Sequence, residues 1–399
     1  MPHKTRFFCT VLCLLALLIP FFTLSVTATG AGSAMPLDTA SFQVLPESTA
    51  TVTAAPGTSA ASFALLDPVS GRFIAEGDAD TRRPMASTTK IMTALVVLET
   101  LPLDEMVTVD AAAVGTEGSS IYLFTGEQIT VRTLLYALML SSANDAAAAL
   151  AIHTAGSIES FAALMNQRAA KMGLTNTHFC NPHGLHDESH YTTARELALL
   201  TAEALRNETF AEIVSTQRYS APQIGTDASR LFLNHNRLLR SFEGTVGVKT
   251  GFTKNSGRCL VSAAKRDGLT LIAVTLQDPN DWRDHTALLE WGFSQYEAFA
   301  TDDAYRTLPV VGGTAGEIRL VPRETARMTL PATHAEITCT VEMPRFLFGG
   351  FGAGETKGRL IYRMGDEVLC EIPLVTADAV SAEQARLTLL DRIKNLFRK

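Results

Sequence analysis

Cysteine is scarce in this chain, and its scarcity excludes two kinds of small scaffold. The 399 residues include six cysteines, of which Cys9 and Cys13 lie in an apolar N-terminal run. The others are too few for a disulfide framework, and none has the CxxC spacing of a structural zinc site. We therefore expect buried thiols, with a Cys339–Cys370 disulfide as the alternative. The four cysteines outside the N-terminal run are Cys180, Cys259, Cys339 and Cys370.

An excess of positive charge is also absent, which argues against a nucleic-acid partner. The chain has 34 Lys and Arg residues against 41 Asp and Glu residues, so its net charge is −7. Charged residues make up 19% of the chain and hydrophobic residues 46%. This composition is typical of a globular protein with a real core. At roughly 150 residues per domain, the chain is long enough for about two domains.

The N-terminus has the pattern of a secretory signal peptide. Basic residues precede an apolar run over residues 7–26, and Val26-Thr27-Ala28 fits a cleavage site. Cleavage at Ala34 is a second option. An uncleaved membrane anchor is the alternative, because the apolar run is nearly long enough to span a bilayer. We expect residues 1–28 to be the signal peptide and the rest of the chain to be exported.

Composition and periodicity divide the next part of the chain into a linker and a large domain. Residues 29–57 are rich in Thr, Ala, Ser, Gly and Pro, which predicts a flexible tether. Residues 58–298 begin with a strand hairpin, continue with several helices and return to strands before a last helix, "DHTALLEWGFSQYEAF". Strands at both ends with helices between them predict an α+β domain with one antiparallel sheet.

The C-terminal part predicts a small all-β domain and a basic amphipathic helix. Residues 299–378 contain short strand-like runs, and Met364-Gly-Asp-Glu367 is typical of a hairpin turn, so we expect a β-sandwich-like domain. Over residues 381–399 an apolar helical stripe lies among basic residues, which favours a membrane surface as partner. A helix docked on its own domain is the alternative. The stripe consists of Leu389, Leu390, Ile393, Leu396 and Phe397, and the basic residues are Arg386, Arg392, Lys394, Arg398 and Lys399.

A serine and a lysine stand one turn apart at the start of an apolar helix. In "RPMASTTKIMTALVVLET", Pro84 suits a helix start and places Ser87 near the positive end of the helix dipole. Lys90 lies three residues later on the same face. An apolar environment disfavours its charged form, so the lysine can act as a base and activate the serine. A snorkelling lysine at an ordinary helix start is the alternative, since this pair alone is a weak signal.

Two further stretches make the serine–lysine pair more specific. Ser142-Ala143-Asn144 falls between two apolar helical runs, where polar residues need a reason to be buried. Lys249-Thr250-Gly251 lies on a predicted strand, whose edge can line a substrate as an added strand would. Gly251 allows close approach of the backbone. The order SxxK, SxN and KTG is specific when the three motifs are taken together.

This set of motifs resembles that of the low-molecular-weight penicillin-binding proteins, the serine-type D-alanyl-D-alanine carboxypeptidases. The resemblance covers nearly the whole chain. It extends to "NPHGLHDESHYTTARELALL" and "VKTGFTKNSGRCLVSAAKRDGLTLIAVTL". It implies a β-lactamase/transpeptidase-like domain, in which an antiparallel sheet packs with a helical cluster. Together with the predicted signal peptide and the basic amphipathic helix, it leads us to expect a location at the outer face of the cytoplasmic membrane or in the cell-wall space.

The resemblance implies a role for each motif residue in acyl transfer. Ser87 attacks the carbonyl between two D-alanines of a peptidoglycan stem peptide, and Lys90 takes its proton. Ser142 relays a proton to the departing amine, and Asn144 holds an amide of the substrate. Water then hydrolyses the acyl-enzyme.

The resemblance also implies which residues bind the terminal carboxylate of the substrate and the oxyanion that forms during the reaction. Lys249 supplies positive potential, and Thr250 binds the terminal carboxylate. The backbone N–H groups of Ser87 and Phe252 form the oxyanion hole. Arg283 is a second carboxylate ligand. The family needs no cofactor or metal, β-lactams inhibit it covalently, and no oligomeric state is predicted.

Two positions depart from the pattern of some relatives. Phe252 follows KTG where some relatives have histidine, and His235 in "NHNRLL" stands where some have arginine. Both departures affect fine substrate contacts rather than the class of reaction.

Three other functions compete with the carboxypeptidase interpretation. A β-lactamase needs a carboxylate to activate water, and Glu203 with Asn207 has a Glu-x-x-x-Asn spacing, although such pairs are common on solvated helix faces. A zinc peptidase needs a ligand cluster, but the candidate segment lacks the helical His-Glu-x-x-His arrangement. A non-catalytic wall-binding protein would keep the fold without turnover. The candidate zinc ligands are Cys180, His183, His186 and His190.

Overall fold

The chain folds into an α+β unit that is followed by a β-sheet unit. The predicted tether and C-terminal helix lie outside the described residues, apart from residues 52–57 and 381–383. The predicted signal peptide also lies outside them, apart from one strand at Phe21–Thr27. The computed structural model describes residues 21–27, 52–225, 227–302 and 304–383.

The helices and strands of the described residues are numbered in chain order. The strands are β1 Phe21–Thr27, β2 Ser62–Asp67, β3 Arg72–Gly77, β4 Met106–Thr108, β5 Gln128–Thr130, β6 Arg218–Pro222, β7 Ser229–Leu233, β8 Thr245–Thr253, β9 Gly257–Arg266, β10 Leu269–Leu276, β11 Tyr296–Ala300, β12 Arg306–Val311, β13 Glu317–Pro322, β14 Arg327–Pro331, β15 Ile337–Pro344, β16 Leu347–Phe348, β17 Thr356–Met364 and β18 Glu367–Thr376. The α-helices are α1 Lys90–Thr100, α2 Val131–Leu140, α3 Asn144–Ala155, α4 Ile158–Lys171, α5 Ala194–Leu205, α6 Glu208–Ser215, α7 Leu238–Ser241 and α8 Asp281–Gln295.

A five-stranded antiparallel sheet with the order β3-β2-β10-β9-β8 forms the centre of the α+β unit. Strand β10 is buried on both faces because its residues alternate between two apolar cores. Ile272 and Val274 pack into the core that contains the helical cluster. Leu271 and Ala273 pack into a second core with Leu288 of α8. This period of two is the pattern of a strand covered on both sides.

The predicted antiparallel sheet and helical cluster of the first unit are confirmed. The hairpin of β2 and β3 occurs where it was predicted, around residues 68–71. The sheet joins this early hairpin to the late strands β8 to β10, so β8 becomes an edge strand beside the start of α1. That arrangement brings the KTG motif to the SxxK motif.

The last helix of the first unit ends four residues before the predicted end at Phe299. It ends at Gln295, and β11 follows instead of a further helical turn. Strand β11 pairs antiparallel with β14, from Tyr296 opposite Pro331 to Ala300 opposite Arg327. These non-local backbone hydrogen bonds outweigh the local helical preference of the segment, as tertiary context commonly does.

The second unit is an all-β domain with its own apolar core, as predicted, and its described strands pair antiparallel except for β12 and β16, which pair in parallel. Its larger sheet has the order β1-β15-β17-β18-β13-β12-β16, and β11 with β14 forms a second, two-stranded sheet. Strand β17 ends at Met364 and β18 begins at Glu367, which confirms the predicted hairpin turn. After β18 the chain stays attached to this unit, because Ala382 forms a bridge with Gly313.

The four cysteines of the described residues are free thiols. Cys259, Cys339 and Cys370 are buried as expected, whereas Cys180 is half-buried. The alternative Cys339–Cys370 disulfide does not form. Both residues lie opposite Tyr362 on the two strands that flank β17. Two strand spacings amount to roughly 9–10 Å, which is more than a disulfide can bridge.

Among the described residues, no single helix is long and apolar enough to cross a membrane. Helices α3 and α4 meet that criterion only as a pair, with a bend of 83° between them.

Candidate active site

The SxxK motif forms a tight turn that leads directly into α1. Residues Ala86–Thr89 form a 3₁₀ turn, and Lys90 is the first residue of the α-helix. Ala86 has a φ of +48°, a conformation that costs free energy for a residue with a Cβ atom. The turn is held by the Thr88 and Thr89 hydroxyls, which donate to the carbonyls of Met85 and Ala86. Strain of this kind commonly occurs at functional sites.

Lys90 is completely buried and makes three hydrogen bonds, which use the whole capacity of its amino group. Its Nζ lies 3.0 Å from Ser87 Oγ, 2.7 Å from Asn144 Oδ1 and 2.6 Å from the carbonyl oxygen of His183. Burial lowers the pKa of Lys90 well below its usual value, and the charge of Lys249 lowers it further, whereas Asp145 raises it. The structure therefore brings Ser87, Lys90 and Asn144 together, as the motifs predicted.

The SxN motif forms the break between α2 and α3. Ser142 has a φ of +58° and is buried in this break, and Asn144 begins α3. The Asn144 side chain accepts from Lys90 and donates through Nδ2 to the carbonyl of Glu117 at 2.5 Å. Asn144 thus positions Lys90 in this structure, in addition to the substrate contact that the resemblance implies.

The KTG motif lies on β8, at an edge of the sheet. Strand β8 pairs with β9, and no other described strand covers its second edge. Gly251 touches the Ala86–Thr89 turn that carries Ser87, since a Cβ atom at position 251 would lie 3.1 Å from the backbone nitrogen of Ser87. The absence of a side chain at Gly251 therefore lets strand β8 approach the backbone of Ser87 closely. Thr250 is half-buried, whereas Phe252 is 65% exposed.

Lys249 is the second buried lysine of the site. Its side chain is only 1% exposed, and its Nζ donates to the carbonyl of Thr250 at 2.8 Å. Burial lowers the pKa of Lys249 to about 7. His235 is, besides Lys90, a titratable neighbour of this lysine, and burial together with the Lys249 charge lowers the pKa of His235. An anion bound next to Lys249 would favour its protonated form.

Arg283 is not brought to this cluster. Its guanidinium Nε and Nη2 both donate to Oδ1 of the adjacent Asp284, and its side chain is 70% exposed. Asp284 in turn accepts from Ser59. No hydrogen bond in the described part of the chain links Arg283 to the KTG strand. The role of Arg283 as a carboxylate ligand stays a prediction that the geometry does not support.

Sequence reasoning missed the residues that hold the motifs in place. The buried carboxylate of Asp145 accepts from Ser120 Oγ and from the backbone nitrogens of Ile121 and Leu123, which fixes the segment beside Asn144. His190 Nε2 lies 2.7 Å from Thr89 Oγ1, and this contact supports the Ala86–Thr89 turn that carries Ser87. Asp145 follows directly after the SxN motif, and this proximity was the one available signal.

The residues of the two rival catalytic sites have other partners. Glu203 binds Arg168 and Arg206, and the side chain of Asn207 caps α6 through the backbone nitrogen of Phe210. Both side chains of this pair therefore make structural contacts, and the pair is not arranged to activate a water molecule. In the candidate zinc segment, Cys180 donates to Asp187. Among the described residues, no group of three His, Cys, Asp or Glu side chains is placed to hold a metal ion.

The geometry of the site defines a class of chemistry. A serine hydroxyl lies against a buried lysine whose neutral form is favoured, and an edge strand with a second lysine lies beside them. A weak nucleophile with an adjacent base is the arrangement of enzymes that form a covalent acyl intermediate. The fold and site are therefore those of a serine–lysine acyl-transfer enzyme.

Comparisons with known proteins agree with this class. The family model for D-alanyl-D-alanine carboxypeptidase matches residues 48–280. D-alanyl-D-alanine carboxypeptidase DacF of Bacillus subtilis is 30% identical, over 80% of this chain and 85% of the relative. DacC of Escherichia coli is 33% identical, over 82% of this chain and 85% of the relative. The chain belongs to the D-alanyl-D-alanine carboxypeptidase family, and the predicted family and enzyme class are confirmed.

Solved structures agree with the fold, one over most of the chain and one over a shorter part of it. Penicillin binding protein 5 of Haemophilus influenzae superposes with a TM-score of 0.65 at 28% identity, covering 82% of this chain and 99% of that one. The DD-transpeptidase of Streptomyces K15 superposes with a TM-score of 0.58 at 37% identity, covering 60% of this chain and 99% of that one. The predicted α+β fold with a following β domain is confirmed.

Proposed function

We propose that this enzyme removes the terminal D-alanine from peptidoglycan stem peptides that end in D-Ala-D-Ala, and that β-lactams acylate the same serine. The observation that carries the proposal is the distance of 3.0 Å between Lys90 Nζ and Ser87 Oγ at a fully buried lysine. In the first step, Ser87 Oγ attacks the carbonyl between the two D-alanines while the neutral amine of Lys90 takes the hydroxyl proton.

The strand β8 supports the rest of the first step. The backbone N–H groups of Ser87 and Phe252 would donate to the developing oxyanion, and the contact of Gly251 with the Ser87 nitrogen brings their two segments together. The open edge of β8 accommodates an extended peptide. Lys249 and Thr250 on this strand would hold the terminal carboxylate. Ser142 passes a proton to the amine of the departing D-alanine.

Hydrolysis completes the reaction and distinguishes the proposal from a β-lactamase. We expect the purified enzyme to release D-alanine from a diacetyl-lysyl-D-Ala-D-Ala tripeptide, as measured by a coupled D-amino-acid oxidase assay. We also expect intact-mass spectrometry to find a persistent benzylpenicillin adduct. An adduct that disappears within seconds while penicillin is consumed would instead favour a β-lactamase. Penicillin binding without release of D-alanine would favour a non-catalytic protein.

We further propose that the enzyme is exported and acts at the outer face of the cytoplasmic membrane. The sequence pattern of residues 1–28 supports export, and the basic amphipathic stripe of residues 381–399 supports binding to a membrane surface. The β unit between the catalytic unit and the tail would act as a spacer. Backbone pairing of Ala382 and Glu383 with Gly312 and Gly313 attaches the described start of this segment to the β unit.

Deletion of residues 384–399 is expected to move the enzyme from the membrane fraction to the soluble fraction, as measured by centrifugation of cell lysates and penicillin labelling. This deletion keeps the backbone pairs at residues 382 and 383. A tail with the same residues in shuffled order keeps the positive charge but loses the apolar stripe, and we expect it to be released as well. Unchanged membrane retention of the deleted form would point to an uncleaved N-terminal anchor.

A further inference from the structure

One aromatic side chain beside the site is presented to solvent by a strained backbone. Tyr122 is 85% exposed, more than any other large hydrophobic side chain of the described residues. Its φ is +59°, in the left-handed region that is unfavourable for a bulky residue. Such a conformation persists only where the surrounding structure enforces it, and it is concentrated at functional sites.

The neighbours of Tyr122 enforce this conformation from both sides. On one side Ser120 Oγ and the backbone nitrogen of Ile121 donate to Asp145, at 2.6 Å and 3.1 Å. On the other side the nitrogen of Leu123 donates to the same carboxylate at 3.1 Å, and the Leu123 side chain is buried. The nitrogen of Tyr122 itself donates to Ser120 Oγ at 2.9 Å. The ring is therefore held outward before any ligand binds.

The segment that carries this ring also contacts the catalytic cluster. The backbone nitrogen of Asn144 donates to the carbonyl of Ser119 at 2.7 Å, and its side chain donates to the carbonyl of Glu117. Asn144 in turn accepts from Lys90, the partner of Ser87. Tyr122 thus belongs to the wall of the site that contains Asn144, whereas Lys249 and Thr250 belong to the wall formed by β8.

We propose that the Tyr122 ring is a subsite for the acyl group of the substrate, where it binds an apolar or planar portion that precedes the reacting carbonyl. This inference rests on the proposed function, in which Asn144 holds an amide on the acyl side and β8 holds the carboxylate on the leaving side. A ring that is fixed in advance loses little conformational entropy on binding. Its face offers a large apolar contact area to an aliphatic chain or an aryl group.

The test compares substrates that differ only in the acyl group. One pair is N-acetyl-D-Ala-D-Ala and the diacetyl-lysyl-D-Ala-D-Ala tripeptide, and the other is 6-aminopenicillanic acid and benzylpenicillin. In Tyr122→Asn, asparagine tolerates the left-handed backbone but removes the ring. We expect about a tenfold loss of kcat/KM for the tripeptide and of the acylation rate for benzylpenicillin. The small member of each pair should lose less than about twofold.

Two further variants separate the ring from the loop. Tyr122→Phe keeps the ring and should keep the rates of the parent enzyme. Tyr305→Asn is a matched control, because Tyr305 is 58% exposed in the second unit, and it should leave all four rates unchanged. An equal loss for both members of a pair, or no loss for either, would overturn the subsite. If the parent enzyme turns over neither peptide, the proposed function fails first and the subsite fails with it.

Discussion

Replacement of Ser87 by alanine is expected to abolish acylation while leaving the fold unchanged. The hydroxyl oxygen, Oγ, is the atom of this side chain that reacts. Loss of a serine nucleophile lowers turnover by roughly 10⁴-fold or more in comparable enzymes. The substitution removes one acceptor of Lys90, but the carbonyl of His183 and Oδ1 of Asn144 continue to hold the amine. Intact-mass spectrometry with benzylpenicillin should therefore find no adduct, and thermal unfolding should stay cooperative.

A serine elsewhere on the surface provides the control for this experiment. Ser215 is exposed at the end of α6, so Ser215→Ala should be acylated at the parent rate. Peptide mapping of the parent adduct should identify Ser87 as the modified residue. Normal acylation of Ser87→Ala would mean that another residue is the nucleophile, and the assignment of the SxxK motif would be wrong.

Local patterns of the sequence were sufficient to predict one part of the catalytic cluster, the pair of Ser87 and Lys90. Ser87 and Lys90 lie within one turn, so their proximity follows from helix geometry alone. Asn144 is distant in the chain, and its contact with Lys90 could be predicted only because three motifs in a fixed order resemble a known family. The strands β2, β3 and β13 were also recognisable, since their apolar and turn residues are contiguous.

The features that sequence reasoning did not find depend on contacts between distant segments. The carbonyl of His183 reaches Lys90 from a loop that has no helical or strand pattern. The helix α8 ends at Gln295 because β14 pairs with the residues that follow. Arg283 was predicted to be a carboxylate ligand, but its guanidinium binds the carboxylate of Asp284. A contact between two residues that are adjacent in the chain leaves no periodic pattern in the sequence, so it could not be predicted.

Replacement of Lys90 by methionine is expected to slow acylation by about 10²–10⁴-fold, the usual contribution of a general base. Methionine is a flexible apolar side chain that can fill the buried space of the lysine stem. It cannot take the proton of Ser87. The variant also leaves Asn144 Oδ1 and the His183 carbonyl without their donor, which costs some stability. Because burial disfavours the charged form that a lysine has in water, its replacement by methionine also removes an unfavourable contribution, and the two effects partly offset each other.

The pH dependence of this variant identifies the base. In the parent enzyme the neutral form of Lys90 is active, so the acylation rate rises as the pH passes upward through its lowered pKa. The protonated form of Lys249 is active, so the rate falls again as the pH rises through the Lys249 pKa of about 7. In a plot of acylation rate against pH, Lys90→Met should lose the rising limb and keep the falling limb. Lys171 lies at the exposed end of α4, so the control variant Lys171→Met should keep both limbs. A rising limb that survives in Lys90→Met would assign the base to another group, and His235 beside Lys249 would be the next residue to replace.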